Sequence, residues 1–242
     1  MNIFFPLLSA EQHAQFWEEG YLVVPDILTP EEVDAFLADA QPATSLHGHL
    51  SDAQYRALAH HPKIVGGASQ LLKGNPRIVQ TMFLNKPAQG GRGIALHQDS
   101  HYLPNEPNTL MACWVALTDT DADNGGLCVI PGTHKQGLRP AHKAQDEKEH
   151  AVWETEHQMR DRNGREWDQT LVSFEMDNID PESIVRLKVP RGWGVFFTGL
   201  TIHGSYSNPS QDRERPAFAI HYVHEDTWVF RTDVQETTPV EV

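Results

Sequence analysis

The feature that most constrains the fold is a series of short apolar runs that starts near Arg77. Glycine, proline and asparagine separate these runs from one another. Many short strands with turn residues between them are typical of a β-sandwich or barrel, whereas a parallel sheet would alternate with long helical segments. The predicted strands are residues 78–84, 110–117, 127–130, 184–189, 195–197, 217–223 and 227–230.

Helix-start signals precede this β-rich region. Two capping boxes each place a hydroxyl at the helix N-cap and a long polar side chain three positions later; they are Ser9 with Gln12 and Thr29 with Glu32. Residues 52–72 also have a helical pattern, divided before Pro62 because proline disfavours helical backbone in the preceding residue. We therefore predict a mainly β (α+β) fold, a single domain over residues 1–242 with helical support at about 9–72.

The connections between the predicted strands differ in length. Asp123-Asn124-Gly125-Gly126 is predicted to form a hairpin turn, because asparagine and glycine accept the positive φ angles that such turns need. Residues 139–181 form a much longer polar connection that carries Trp153 and Trp167. A segment of this length inside one domain is either a functional lid over a site or a mobile surface segment. Both interpretations stay open, and the two tryptophans are its predicted apolar anchors.

Composition limits the kinds of partner. The 33 acidic and 19 basic residues give a net charge of −14, which disfavours attraction to nucleic acid or to an anionic membrane. The apolar start at residues 3–8 lacks the basic region of a signal peptide, and no long uncharged apolar segment follows. Cys113 and Cys128 lie in apolar runs and are predicted to be buried free thiols. These features predict a cytoplasmic protein that binds neither nucleic acid nor a membrane, and they leave its oligomeric state open.

The stretch with the most chemical content is His97-Gln98-Asp99. On a strand, side chains alternate between faces, so His97 and Asp99 share one face and Gln98 takes the other. With His203 from a neighbouring strand they would make two histidines and a carboxylate, a set that suits non-haem ferrous iron with open positions. His101 is a rival third ligand on the same face. The prolines and asparagines that follow it predict that the strand ends there, which places His101 at the site rim.

Further motifs follow one another in an order that is much harder to obtain by chance than a histidine and an aspartate two residues apart. They are Met82-Phe83-Leu84-Asn85-Lys86-Pro87, Leu96-His97-Gln98-Asp99, Trp114-Val115-Ala116-Leu117, Asn124-Gly125-Gly126-Leu127, Ile130-Pro131-Gly132-Thr133-His134, His203-Gly204-Ser205, Asn208 and Arg215-Pro216-Ala217. With these motifs, most of the chain resembles the phytanoyl-CoA dioxygenase family of Fe(II)- and 2-oxoglutarate-dependent oxygenases. The resemblance implies a double-stranded β-helix, a cupin-like jelly roll whose mouth holds the metal.

The resemblance also implies roles for individual residues. The iron ligands at the catalytic centre would be His97, Asp99 and His203, and the co-substrates would be 2-oxoglutarate and O2. Arg215 would pair with the distal carboxylate of 2-oxoglutarate through its planar guanidinium, and Ser205 would add a hydroxyl donor. Three further residues would line the co-substrate pocket, namely Met82, Gln98 and Trp114. Asn85 and Lys86 belong to the same signature without an assigned role.

The arginine assignment has a rival. Family members usually place this arginine slightly nearer the distal histidine, which makes Arg213 an alternative to Arg215. We favour Arg215 because it directly precedes the predicted final core strand at Ala217, as in the family, whereas Arg213 belongs to a polar loop.

The implied reaction is hydroxylation of a small metabolite with release of succinate and carbon dioxide. Related halogenating enzymes replace the carboxylate at the position of Asp99 with a small residue, so the presence of Asp99 favours hydroxylation. Two alternatives remain: a non-catalytic jelly-roll protein that binds a metal or a ligand, and a zinc hydrolase with the same three ligands. The zinc hydrolase offers no reason for a carboxylate pocket at Arg215 and Ser205.

Overall fold

The computed structural model describes residues 7–39 and 46–240, so the first part of the apolar start lies outside the described residues. Within these ranges the helices are α1 (Ala10–Glu19), α2 (Pro30–Asp39), α3 (Gly48–Ser51), α4 (Ala53–Ala59) and α5 (Pro62–Leu72). The strands are β1 (Tyr21–Val24), β2 (Pro76–Lys86), β3 (Ile94–His97), β4 (Asn105–Glu106), β5 (Met111–Ala116), β6 (Leu127–Ile130), β7 (Ala141–Lys143), β8 (Glu154–Arg160), β9 (Glu166–Val172), β10 (Phe174–Met176), β11 (Val185–Arg186), β12 (Gly194–Thr198), β13 (Ile202–Ser205), β14 (Arg215–His224), β15 (Trp228–Val229) and β16 (Thr238–Pro239). None of the helices in these ranges is long and apolar enough to span a bilayer.

Both predicted capping boxes are confirmed. Ser9 Oγ accepts from the N–H of Gln12 at 3.2 Å, and Gln12 Oε1 accepts from the N–H of Ser9 at 2.9 Å. Thr29 and Glu32 make the same pair of bonds, at 3.2 and 2.8 Å. These bonds satisfy N–H groups that have no partner inside the first helical turn. The predicted break before Pro62 is present too, and it separates α4 from α5.

Two antiparallel sheets form the centre of the described structure. The larger has the strand order β1-β12-β5-β14-β2-β16, and the smaller has the order β11-β6-β13-β3. Neighbours within a sheet are mostly distant in sequence, because the chain passes back and forth between the two sheets. This arrangement is typical of a jelly roll. The predicted mainly β fold with supporting helices at the amino-terminal side is therefore confirmed.

The alternation of side chains on the strands of the larger sheet builds two cores. One face of β5 packs against the helices, and its side chains are Met111, Cys113 and Val115. The other face points into the space between the sheets, and its side chains are Ala112, Trp114 and Ala116. In β14 the inner positions are again small, with Ala217 and Ala219. Small inner side chains leave a space between the sheets that well-packed larger residues would fill. Cys113 and the buried Cys128 of β6 are free thiols, as predicted.

The turn at Asp123-Asn124-Gly125-Gly126 is not the hairpin that the sequence predicts. It connects β5 to β6, which belong to different sheets. The amide of Asn124 accepts from the N–H of Asp121 and donates to the Asp119 carbonyl, both at 2.9 Å, and Gly125 has a φ of +74°. Local turn chemistry thus reverses the chain as expected. It does not determine which sheet the next strand joins, because that depends on distant partners.

The long connection at residues 139–181 has strands of its own. β8 and β9 form an antiparallel hairpin, and β7 pairs with β10. The ring of Trp153 lies 5.6 Å from that of Tyr102, and the ring of Trp167 lies 5.9 Å from that of Phe230. Both tryptophans therefore contact rings outside the connection. The sequence did not predict the hairpin because its strands are mostly exposed and polar, which weakens the alternation on which strand prediction depends.

Candidate metal centre and cavity

Two neighbouring strands of the smaller sheet bring two histidines together. His97 ends β3, and His203 lies directly across from it in β13. Residues directly opposite one another in an antiparallel pair hold their Cβ atoms about 5 Å apart on the same face. The two imidazole centroids are 4.4 Å apart. Strand pairing alone therefore brings together a pair that is far apart in the sequence.

Asp99 joins this pair by a route that differs from the predicted one. β3 ends at His97, and Asp99–His101 form a 3₁₀ turn, so the prediction of a strand through Asp99 is wrong. Gln98 nevertheless keeps an extended backbone, with φ −115° and ψ 128°. One extended residue is enough to direct the side chains on either side of it to the same face. Asp99 Oδ1 lies 3.3 Å from His97 Nε2 and 3.6 Å from His203 Nε2.

Backbone carbonyls orient both imidazoles. His97 Nδ1 lies 2.7 Å from the carbonyl oxygen of Ala95, and His203 Nδ1 lies 3.0 Å from that of Thr201. A carbonyl oxygen only accepts, so each Nδ1 carries the proton and each Nε2 keeps a free lone pair. Histidines that bind a metal through Nε2 are commonly held by this kind of bond at the other nitrogen.

The protonation states of the cluster also suit a metal ion. Burial raises the pKa of Asp99, but the electrostatic influence of the neighbouring His203 and His221 and the hydrogen bond from His221 outweigh it and hold the pKa well below its usual value. Burial lowers the pKa of His203 to about 4. A carboxylate with a neutral imidazole is the form that binds a divalent metal. Two donors at right angles, each about 2.1 Å from a metal, would be about 3 Å apart, so the observed spacing fits one ion.

His221 is a residue of the site that the sequence did not predict. Its Nε2 lies 3.0 Å from Asp99 Oδ2, and its Nδ1 lies 3.3 Å from the amide nitrogen of Gln80. A carboxylate only accepts, so Nε2 donates to Asp99, and Nδ1 accepts from Gln80. The bond from His221 Nε2 holds Oδ2 of Asp99, and Oδ1 is left to face His97 and His203. The signal in the sequence was positional, because alternation places His221 on the same face of β14 as Arg215.

We expect His221→Phe to weaken Fe(II) binding by about tenfold to a hundredfold, the usual effect of losing a partner that orients a metal ligand. Anaerobic titration of the metal-free protein with Fe(II) measures the change. His221→Gln retains an N–H donor and should keep more of the affinity. The matched control is His224→Ala, at the end of the same strand, which should bind iron normally. Full iron affinity in His221→Phe would show that Asp99 is oriented without this bond.

A cavity of about 360 Å³ lies beside the three candidate ligands. Met82, Trp114, Ser205 and Arg215, which the sequence analysis singled out, line it, and their part in binding a co-substrate stays a prediction. Much of the remaining wall is apolar or aromatic, with Ile94, Leu103, Tyr102, Trp153 and Phe174. A concave, mostly apolar space with a few converging polar groups is typical of a site for a small molecule.

The two rival arginines have different surroundings. Arg215 is 2 % exposed, its guanidinium carbon lies 5.7 Å from the ring centroid of Trp114, and its Nε has no hydrogen-bond partner among the described residues. Burial lowers its pKa to about 10. Arg213 instead binds both carboxylate oxygens of Asp121, at 2.9 and 3.3 Å, near the surface. Of the two, Arg215 is the one that presents a positive charge to the cavity.

Gln98 and His101, both singled out in the sequence, are not among the described residues that line the cavity. The amide of Gln98 donates to two backbone carbonyls, at 2.9 and 2.6 Å, and accepts from the N–H of Arg139 at 2.8 Å. Gln98 thus lies outside the pocket it was predicted to line, because alternation turns it away from His97 and Asp99. His101 Nε2 lies 2.8 Å from the Arg139 carbonyl, and its ring stacks on Phe174. It is a neighbour of the site rather than a member of the ligand cluster.

Comparison with known proteins gives a consistent family and fold. The family model of phytanoyl-CoA dioxygenase (PhyH) matches residues 41–217. Human peroxisomal phytanoyl-CoA dioxygenase is 31% identical over 254 residues, covering 91% of this chain and 70% of that protein. The Arabidopsis thaliana phytanoyl-CoA dioxygenase is 27% identical over 248 residues, covering 97% and 75%. The peroxisomal name belongs to the human relative, and the cytoplasmic location of this chain stays a prediction.

Among solved structures, the epimerase SnoN in complex with Fe3+, alpha ketoglutarate and nogalamycin RO has a TM-score of 0.65 at 19% sequence identity. The match covers 96% of this chain and 95% of that one. At such an identity the likeness shows a shared fold, and a shared fold does not by itself determine the chemistry of a site.

Proposed function

Since the chain belongs to the phytanoyl-CoA dioxygenase family of Fe(II)- and 2-oxoglutarate-dependent oxygenases, whose model matches residues 41–217, we propose that it is a dioxygenase that hydroxylates a small metabolite. The observation that carries this proposal is the cluster of His97, Asp99 and His203 beside a cavity that also receives Arg215. Iron and 2-oxoglutarate, when bound, activate dioxygen and yield succinate and carbon dioxide.

The chain's own residues have separate tasks in this reaction. His97, Asp99 and His203 would hold the iron. Arg215 would pair with the distal carboxylate of 2-oxoglutarate, because a buried guanidinium offers two parallel N–H donors and keeps its charge. The apolar wall would exclude water from the reacting C–H bond and hold the substrate in a fixed orientation.

Hydroxylation is favoured over halogenation by Asp99. Its Oδ1 faces the Nε2 atoms of both His97 and His203. The carboxylate would thus take the coordination position that a halide needs. Product analysis in chloride buffer tests this part of the proposal, and a chlorinated major product would contradict it.

The cavity and the net charge support a small metabolite as the substrate. A volume of about 360 Å³ is in the range of sites for small molecules. The net charge of −14 opposes the long-range approach of a coenzyme A thioester, which carries several phosphate charges.

Succinate production is the direct test of the proposed function. Iron-loaded protein with 2-oxoglutarate should release succinate faster when the right member of a metabolite library is present, and metal-free protein should release none. Succinate-free hydrolysis by the zinc-loaded protein would point to a zinc hydrolase. Binding of iron and 2-oxoglutarate with no turnover of any library member would favour a binding protein of the same fold.

Residues 139–181 contribute Trp153, Ser173 and Phe174 to the cavity wall, so we expect this segment to become ordered around bound ligands. Limited proteolysis within it should slow when iron, 2-oxoglutarate and substrate are all present, because a closed segment exposes less cleavable backbone. Cleavage near Leu50, which is 53 % exposed, serves as a reference outside the segment. Equal cleavage rates within the segment in every state would identify it as a passive part of the surface.

A further inference from the structure

Lys86 is a buried cation next to the candidate co-substrate pocket. It is 4 % exposed, ends β2, and pairs directly across the ladder with Arg215 of β14. Residues directly opposite in an antiparallel pair project to the same face of the sheet. Lys86 therefore points with Arg215 into the space between the two sheets.

The ammonium group of Lys86 crosses to the smaller sheet. Its Nζ donates to Ser205 Oγ at 2.8 Å and also to the carbonyl oxygen of Tyr206. Both acceptors are neutral. Two buried cations thus lie side by side, and the bonds described for Lys86 and Arg215 go to uncharged oxygens. Buried charge is costly unless it is paired, so the space beside Lys86 and Arg215 favours the binding of an anion.

Packing fixes where the Lys86 ammonium lies. A Cβ atom added at Gly91 would come within 2.7 Å of Lys86 Cβ, and one added at Gly125 would come within 3.2 Å of Lys86 Cδ. The two glycines therefore allow the backbone to close around the lysine stem. Gly125 is needed chiefly because its φ is +74° and because an added Cβ would come within 2.9 Å of the carbonyl oxygen of Tyr206, the same oxygen that accepts from Lys86.

The lysine determines what the Ser205 hydroxyl can do. A hydroxyl has one hydrogen to donate and two lone pairs, whereas an ammonium group has only donors. Ser205 Oγ must therefore accept from Lys86, which leaves its own hydrogen free for another acceptor. Ser205 lines the cavity together with Arg215. Its free donor and the guanidinium are available to the same ligand group.

We propose that Lys86 is a positioning residue for 2-oxoglutarate. Its bond to Ser205 orients the hydroxyl so that the hydroxyl donates to the distal carboxylate, the group with which Arg215 pairs. The positive charge of Lys86 also stabilises that carboxylate electrostatically. This inference rests on the proposed function. Lys86 acts through Ser205 and through its charge, so its contribution belongs to the distal carboxylate alone. A 2-keto acid that lacks this carboxylate, such as 2-oxobutyrate, gains nothing from Lys86.

Binding calorimetry on anaerobic, iron-loaded protein tests the proposal. Lys86→Met should weaken 2-oxoglutarate binding by at least about fivefold, through loss of a charge-assisted contact. Its affinities for Fe(II) and for 2-oxobutyrate should stay within about twofold of wild type, the scatter expected for independent sites. Lys135→Met, at an exposed lysine paired with Glu18, is the matched control and should bind 2-oxoglutarate normally.

A double-mutant cycle with Ser205→Ala tests whether Lys86 acts through the Ser205 hydroxyl. If Lys86 acts through Ser205, Lys86→Met should cost less affinity for 2-oxoglutarate in the Ser205→Ala protein than in wild type. Equal losses for 2-oxoglutarate and 2-oxobutyrate in Lys86→Met would reduce Lys86 to a structural residue and overturn the proposal. Wild-type protein that binds neither keto acid would overturn the proposed function, and this inference with it.

The pH dependence of 2-oxoglutarate binding tests the proposal on wild-type protein. Burial, with a further contribution from the charge of Arg215, lowers the pKa of Lys86 to about 7 in the ligand-free protein. A bound dicarboxylate favours the charged lysine, so the affinity for 2-oxoglutarate should fall as pH rises above about 7. The affinity for 2-oxobutyrate should not fall in this way.

The other groups near Lys86 do not account for such a change. They are Arg215, which stays charged, Cys128, whose thiol pKa burial raises to about 11, and the carboxylate of Glu149, which accepts from the N–H and the hydroxyl of Ser207. A pH profile that is the same for both keto acids would contradict the proposal even if Lys86→Met failed to fold.

Discussion

His203→Ala should lower the affinity of the protein for Fe(II) by more than about a hundredfold, because losing a ligand costs more than losing a residue that only orients one. His203 Nε2 is one of three donor atoms that lie within 4.8 Å of one another. The remaining pair, His97 and Asp99, would hold the ion through two atoms only. Anaerobic titration with Fe(II), read by calorimetry or by metal analysis after gel filtration, measures the loss.

His101→Ala is the matched control for this prediction. His101 lies only two residues from Asp99 in the sequence, yet its Nε2 bonds to the Arg139 carbonyl and its ring stacks on Phe174. Its removal should therefore leave iron binding close to wild type. Stoichiometric iron binding by His203→Ala, with its loss in His101→Ala, would transfer the third ligand to His101.

Arg215→Ala should raise the dissociation constant of 2-oxoglutarate by at least about tenfold, or ~1.4 kcal/mol, and leave Fe(II) binding intact. Arg215 is buried, and the cavity receives its guanidinium near Ser205. A charged pair of this kind is shielded from water, so truncation of one partner costs much more than it would at the surface. Calorimetric titration of iron-loaded protein with 2-oxoglutarate in the absence of oxygen measures the change.

The rival Arg213 supplies the control. Its guanidinium already binds Asp121, and its side chain is 40% exposed, so Arg213→Ala should change the 2-oxoglutarate affinity by less than about twofold, as surface ion pairs contribute little. A tenfold loss in Arg213→Ala, together with normal binding in Arg215→Ala, would mean that Arg213 anchors the co-substrate.

Features that depend on near neighbours in the chain could be predicted from the sequence. The capping boxes at Ser9 and Thr29, the break before Pro62 and the apolar runs of the sheets all follow from the properties of a few adjacent residues. The spacing of His97 and Asp99 is another such local feature. The single extended residue between them directs both side chains to the same face, although the strand ends at His97. The family motifs added the distal residues His203 and Arg215.

Features that depend on pairing between distant segments were decided by the tertiary structure. The turn after Asp121 leads into the other sheet, where β6 pairs with the distant strands β11 and β13. The roles of His221 and Lys86 arise in the same way, because each bonds to an atom more than a hundred residues away. A short window of sequence records which side chain is present and which face it takes. It does not record which distant strand supplies the opposite face, since that choice is made by the packing of the whole core.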